Sequence, residues 1–434
     1  MRALEAYLND RRIGILSEGN DLWRFEYDAA WANAADSFDL SPTLRRAQLV
    51  HSDGGSERPV QWYFDNLLPE ESLREVVSKE ANIKGDDAFA LLEYLGAESA
   101  GSLVLVPPGK SLHERRALQA LCDEELCQRI EKLPRVSLTS GAPKRMSAAG
   151  AQNKLLVVYR DGQLYEPVGS EPSTHILKPN HVGDDYPASV INEYLVMKLA
   201  FEVGLRVPSV FRRYTPEPIY IVERFDRYVD EAGLTQRLHV IDACQLLNKS
   251  RLFKYKNATL QTLADIVTHC RNRASARQRL YLWLVFNLLL GNHDNHLKNL
   301  SFMVSDDGIE LSPAYDLLST AAYHTRVFAG ERENWPAVEL AIPLPDAPTF
   351  GAVTRQSVLS AGEALGLTKR ISARELDWMV NALPGALDKL VASIATENAD
   401  RPETVRRFLG GEDRLMRTIQ RVVLPEMLKR VGSG

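Results

Sequence analysis

The sequence predicts an α+β fold in which a β-rich lobe precedes a mostly helical one, and three observations lead there. Short strands bounded by Gly, Asp and Pro recur between Lys154 and Tyr228 around a single helical stretch. From Asp242 onward apolar residues recur at helical spacing. One polar hairpin, "NLSFMVSDDGIELSPAYDLLS", interrupts that helical part.

The chain opens with "RRIGILS", a turn at Glu18-Gly19-Asn20 and "DLWRFEY", whose alternation predicts a hairpin. "ESLREVVSKEANI" and "DDAFALLEYLG" carry apolar residues at i, i+3, i+4 spacing, and the second helix stops at Gly96. Residues 1–106 are therefore expected to form a small α+β accessory subdomain. Residues 107–143 are charged, partly helical and bounded by Pro and Gly, the composition of a connecting segment. The β-rich lobe, 144–236, begins with the small-residue loop of "RMSAAGAQNK". Strand Lys154 to Tyr159 follows, with a turn at Asp161-Gly162 and a returning strand. "THILKP", "VPSVFRRY" and "PIYIVERFDRY" complete a five-strand pattern. Its helix, in "ASVINEYLVMKLAFEVGL", sets Val190, Tyr194, Met197 and Leu199 near one face and stops at Gly204. Residues 237–434 form the helical lobe, with "QRLYLWLVFNLLLG" as a core helix beneath the polar loop that follows it.

With 434 residues, 45% hydrophobic and 25% charged, the composition is that of a globular protein of two or three domains. A formal charge of -5 gives no basic footprint for nucleic acid or an anionic membrane, so DNA contact would need a partner. "MRALEAYLNDRRIG" places charges where a secretory signal needs an apolar run, so a cytosolic chain is expected. The longest apolar run, Leu280 to Leu290, is about half of the roughly 20 residues a membrane span requires and contains Asn287. Cys122, Cys127, Cys244 and Cys270 lack CxxC spacing and are expected as free thiols, with no zinc site.

The stretch "LLLGNHDNHLKNLSF" ends an apolar helix in a cluster of polar groups. Asp294 and Asn299 stand in the form D-x-x-x-x-N, and Asp316 follows at the far end of the hairpin. Protein kinases use three parts in this order: an Asp that accepts the substrate hydroxyl proton, an Asn that holds Mg2+, and a later Asp that also holds Mg2+. Phosphoryl transfer asks for little covalent chemistry, so a carboxylate beside the attacking hydroxyl and hard oxygen ligands for magnesium suffice. Upstream, Lys178 ends a strand, where its ammonium could reach the α and β phosphates, and Glu193 follows on the next helix. Taken singly, each residue has a structural reading: Asp294 and Asn295 after Gly291 as a helix-end turn, Lys178 as a surface lysine, Glu193 as a helix-face residue. Their joint order points instead to a bilobal kinase-like core. His293 and His296 lack a third nitrogen or thiolate partner for zinc, and His293 is expected to be structural.

These residues resemble the HipA toxins of bacterial toxin–antitoxin systems, a family of serine/threonine kinases. The matching stretches are "MSAAGAQNKLLV", "HILKPN", "NEYLVMKLA", "VERFDRY", "LHVIDACQLLN", "GNHDNHLKNLSF" and "AYDLLS". "WYFDNLLPE" looks like the family's amino-terminal subdomain. The resemblance implies Asp294 as catalytic base, Asn299 and Asp316 as magnesium ligands, and Lys178 on the phosphates of ATP. It places Ser147, Ala148, Gly150 and Gln152 in the nucleotide loop, Glu223 and Phe225 where backbone groups hold adenine, and His296 in support of the nucleotide site. Ser147 matches a serine that family members autophosphorylate. A phosphate there would add nearly two negative charges to a loop that cradles phosphates, ejecting the loop and switching off ATP binding. The family further implies a HipB-like helix-turn-helix antitoxin that binds DNA, and a protein substrate in translation such as an aminoacyl-tRNA synthetase.

Two departures stand out. The loop reads S-A-A-G-A-Q-N-K and not G-x-G-x-x-G, with Gly150 its one glycine, and Asp316 sits between Tyr315 and Leu317 instead of in D-F-G. Two rivals share the residues. A small-molecule or lipid kinase would use the same ATP site, and a pseudokinase co-repressor would act only through its antitoxin, although it would have no need for Asp294, Asn299, Asp316 and Lys178 together.

Overall fold

The computed structural model describes residues 1–99, 101–110, 116–146, 149–215 and 217–432. The chain divides into two compact units. The first takes residues Met1–Pro179, Ile221–Phe253 and Ser301–Ser312, and the second takes Asn180–Tyr220, Lys254–Leu300 and Pro313–Gly434.

In the first unit a five-stranded antiparallel sheet has the order Val50–Ser52, Leu22–Tyr27, Arg11–Gly19, Arg2–Leu8, Leu103–Val106. The expected hairpin is present, but its turn sits later, at Asn20 and Asp21, whose φ values of 55° and 60° allow Gly19 to pair with Leu22. Such left-handed pairs match the twist of the flanking strands. Strand Arg2–Leu8, unforeseen, buries Leu4, Ala6 and Leu8 on one face. Helices Pro59–Asp65, Glu71–Ala81 and Ala88–Leu95 accompany this sheet. Gly96 ends the last of them for a different reason than a left-handed cap. Its φ is -67°, and an added Cβ would lie 2.6 Å from the Leu105 carbonyl oxygen, so the strand's close approach demands glycine.

A second sheet of this unit contains, in order, His175–Pro179, Leu155–Arg160, Gln163–Val168 and Ala117–Ala120. The turn falls at Asp161 and Gly162 as expected, with φ of 51° and 77°. The segment 107–143 does more than connect. Its strand Ala117–Ala120 pairs with Tyr165–Val168, and Arg129 on helix Asp123–Glu131 donates to both carboxylate oxygens of buried Glu166 at 2.6 and 2.9 Å. Strand Pro218–Glu223 carries the chain from the second unit back into the first. The inserted hairpin, Ser301–Ser305 with Gly308–Leu311, turns at Asp306-Asp307 and gains a third strand, Val240–Asp242.

The second unit is mainly helical. Helix Ser189–Glu202 is not amphipathic as expected, because Ile191, Asn192, Glu193, Leu195 and Val196 are buried along with Val190, Tyr194, Met197 and Leu199. It is covered by strand Val210–Tyr214 and by helices Lys369–Ala399 and Glu403–Thr418. It stops at Gly204 as expected, with φ of 76° and Leu205 N donating to Ala200 O at 2.9 Å. Helix Arg273–Leu289 forms the core, burying Leu280, Tyr281, Val285, Phe286 and Leu289. Among the described residues no helix is long and apolar enough to cross a membrane.

Candidate active site

The polar loop begins where helix Arg273–Leu289 ends. Gly291 has φ of 66°, and a Cβ there would lie 2.6 Å from Ala321 Cβ, so only glycine makes this exit. The polar residue inside the helix has a purpose. Asn287 Nδ2 donates to Trp283 O at 2.8 Å, Asn292 Nδ2 donates to Asn287 Oδ1 at 2.7 Å, and Asp294 N donates to Asn292 Oδ1 at 3.0 Å. A carboxamide relay thus ties the backbone of Asp294 to a buried helix. On its other flank, His293 N donates to Thr320 Oγ1 at 2.8 Å.

The spacing from Asp294 to Asn299 closes a ring. Asn299 Nδ2 donates to the carbonyl oxygen of Asp294 at 2.9 Å, and His296 N donates to the same oxygen at 2.9 Å, across the single 3-10 turn Leu297–Asn299. With its nitrogen side directed inward, the Asn299 amide has its oxygen as the remaining donor atom for a cation. The Asp294 carboxylate accepts a hydrogen bond from the Tyr255 hydroxyl through Oδ1. Burial raises its pKa above the ordinary aspartate value, against the opposing effects of His296, the Tyr255 hydrogen bond and Lys254, while the negative charge of Asp316 pushes it further up.

That last effect places Asp316 near Asp294. Asp316 holds φ of 58°, a left-handed conformation that Asp tolerates better than most residues. Its neighbour Tyr315 donates to Lys298 O at 2.7 Å. Close to Asp316 lies the fully buried Tyr220, on whose hydroxyl the charges of Glu193 and Asp316 both act. Burial, and then the charges of Glu193 and Asp316, raise the Tyr220 pKa well above its usual value. Asp294, Asn299, Asp316 and, through Tyr220, Glu193 are therefore gathered in the second unit. His296 lies in the same loop with its ring edge-on to Tyr255, centroids 4.8 Å apart. His293 faces His324 at 4.9 Å, and burial, with the charge of His324 adding to it, pushes its pKa down to about 4.

The remaining expected residues lie in the first unit. Lys178 is buried at the end of strand His175–Pro179. Gln152 Nε2 donates to Pro179 O at 3.4 Å, which brings the small-residue loop next to that strand end. Gly150 has φ of 102°, and its carbonyl accepts from Glu70 N at 3.2 Å. Lys154 Nζ would lie 3.0 Å from a Cβ at Gly150 and donates to Ala149 O at 2.6 Å. Glu223 is exposed and its charge acts on His175, while Phe225 is half-buried. Ser147 and Ala148 lie outside the described residues. Sequence reasoning missed Tyr255, Tyr220 and the anchoring roles of Asn192, Asn287 and Asn292. The last three sit inside stretches already singled out, but nothing local marks Tyr255, which is 39 residues from Asp294.

Comparison with known proteins gives a consistent answer. The HipA-like C-terminal domain matches residues 146–386, and the HipA N-terminal domain matches residues 4–106. The serine/threonine-protein kinase toxin HipA of Shewanella oneidensis is 29% identical over 93% of this chain and 93% of its own length. A candidate kinase of Sinorhizobium fredii is 35% identical over 74% of this chain and 78% of its own. Among solved structures, a chain of the Shewanella oneidensis complex of HipA, HipB and operator DNA superposes with a TM-score of 0.78 at 27% identity, covering 99% of each chain. The fold is thus the α+β, kinase-like fold of HipA, and the chain belongs to the HipA-like serine/threonine kinase toxin family.

Proposed function

We propose that the chain is an ATP- and magnesium-dependent serine/threonine protein kinase toxin, with Asp294 as the base that orients and deprotonates the acceptor hydroxyl. The observation that carries this reading is the closed ring from Asn299 to the Asp294 carbonyl, with the Asp316 carboxylate close enough to act on Asp294. A raised pKa makes Asp294 a stronger proton acceptor than a surface aspartate once ionised.

The residues fit a divalent cation. Asn299 presents a carboxamide oxygen and Asp316 a carboxylate, the hard donors that magnesium takes, and two carboxylates repelling each other gain from positive charge between them. When bound, magnesium would neutralise charge on the transferred phosphoryl group. Lys178, beside the Gly150–Gln152 loop, would hold phosphates of ATP, and backbone groups around Glu223 and Phe225 would hold adenine. His296 would support the nucleotide site.

Beyond the chemistry, we propose a division into an accessory subdomain at 1–106, a connecting segment at 107–143, an ATP-binding lobe at 144–236 and a catalytic lobe at 237–434. Regulation by phosphorylation of Ser147 follows from the charge it would add to the nucleotide loop. The likeness to a chain of a HipA–HipB–DNA complex supports a HipB-like antitoxin partner that supplies most of the DNA contact, and the net charge of -5 agrees. The acceptor is proposed to be a protein of translation such as an aminoacyl-tRNA synthetase, met in the cytoplasm. ATP binding by calorimetry, with transfer read from labelled ATP, tests the roles: Asp294→Ala should bind Mg-ATP like the wild type yet transfer no phosphate, and Asp316→Ala should impair both. Normal transfer by Asp294→Ala would refute the assignment.

A further inference from the structure

The hydroxyl that meets the Asp294 carboxylate belongs to the protein itself. Tyr255 directs its phenolic O–H onto Asp294 Oδ1. In the kinase reading an acceptor hydroxyl gives its proton to this carboxylate, and a phenol and a serine hydroxyl are the same kind of donor to it. The tyrosine is seated from two sides. Its ring stands edge-on to His296 at 4.8 Å and 86°, and the preceding carbonyl, Lys254 O, accepts from Leu297 N at 3.1 Å. Both contacts are with the loop that carries Asp294. Yet Tyr255 is 46% exposed, so much of the residue already faces solvent. A firmly docked backbone in a half-exposed residue suits a group that stays near the site while its hydroxyl leaves.

We propose that Tyr255 is a positioning residue that occupies the acceptor's place on Asp294 and must be displaced by the hydroxyl to be phosphorylated, an inference that rests on the kinase reading of this site. In the absence of acceptor it keeps the carboxylate oriented and paired. When acceptor binds, the Tyr255 hydroxyl exchanges Asp294 for water, and the acceptor hydroxyl takes its position. The cost of this exchange falls on acceptor binding and leaves nucleotide binding alone.

The test uses the full chain with dephosphorylated casein as a serine-rich probe. Anisotropy of labelled casein, in the presence of magnesium and a non-hydrolysable ATP analogue, reads acceptor binding without any transfer. Tyr255→Phe keeps the ring on His296 and removes only the hydroxyl, so casein should bind about tenfold tighter, the scale of one hydrogen bond to a charged group. Affinity for the nucleotide analogue should stay the same, and in an Asp294→Ala background Tyr255→Phe should change nothing. Unchanged or weaker casein binding by Tyr255→Phe would overturn the proposal, as would an equal gain in the Asp294→Ala background. Phosphate transfer is read separately with labelled ATP. If the wild type transfers none, the kinase reading fails, while the binding comparison still decides whether Tyr255 covers Asp294.

Discussion

Asn192 and Ser319 are joined by two hydrogen bonds that mimic a backbone ladder: Asn192 Nδ2 donates to Ser319 O at 2.9 Å, and Ser319 N donates to Asn192 Oδ1 at 2.7 Å. Asn192 is fully buried, and its Nδ2 also reaches Tyr323 Oη at 3.1 Å. The pair fixes the chain three residues after Asp316 to helix Ser189–Glu202. Asn192→Ala strands a buried amide and a buried carbonyl, and should cost roughly 2–4 kcal/mol in denaturant unfolding. Asn192→Asp loses the donor and cannot restore it. Both variants should bind magnesium more weakly than their residual folded fraction accounts for.

Asp294 gives a pH-dependent prediction. Its folded pKa lies above the unfolded value, so the folded state favours the protonated form and the ionised carboxylate is held at a cost to stability. That cost is complete above the folded pKa, shrinks as pH falls through it, and is gone below the ordinary aspartate value of about 4. Asp294→Asn should therefore raise the melting temperature at neutral pH by roughly 1–3 °C, with the gain vanishing in acid. The acid limb of the wild-type transfer rate should lie at higher pH than an unperturbed aspartate would give. Melting curves across the pH range check the first claim.

In the first unit, Glu98 is fully buried and serves four cations. It accepts from Lys144 Nζ at 2.9 Å and Arg237 at 2.6 Å, from Arg227 at 3.3 Å, and stands 3.8 Å from Arg224. Ser173 adds its hydroxyl at 2.8 Å. Burial opposes ionisation, but Arg237, Lys144, Arg227 and Arg224 outweigh it and hold the Glu98 carboxyl well below the usual range. Its stabilisation is thus present above the unfolded carboxylate pKa and lost as pH falls through the depressed folded value. Glu98→Ala leaves buried cations facing one another and should cost about 3–5 kcal/mol, the scale of breaking a buried ion pair. Urea unfolding at neutral pH reads this loss directly.

The proposed kinase-type triad could be picked out of the sequence because the chemistry restricts the residue types. Phosphoryl transfer calls for a carboxylate, a carboxamide and a second carboxylate in a fixed order, and Asp294, Asn299 and Asp316 stand in that order around the polar hairpin that follows the apolar helix. The hairpins at Asp161-Gly162 and Asp306-Asp307 were legible from turn chemistry. Elements without such local marks were not. Strand Arg2–Leu8 alternates, but Ala6 is small and charged residues flank it, so the period carries little weight. Strand Ala117–Ala120 has no fully buried residue, and its existence depends on pairing with a hairpin far along the chain. The all-round burial of helix Ser189–Glu202 reflects helices that arrive from the last quarter of the sequence. Asn192 and Tyr255 acquire their roles only through tertiary contacts, and no spacing rule reaches them.

Incubation with Mg-ATP followed by intact-mass measurement, on wild type and on Asp294→Ala, tests the central claim most directly. Wild-type protein should gain mass in steps of one phosphate, with Ser147 as the modified residue on peptide mapping, and Asp294→Ala should gain none. Equal phosphorylation of both proteins would contradict the account, because the transfer would then proceed without the carboxylate that the loop is built to present.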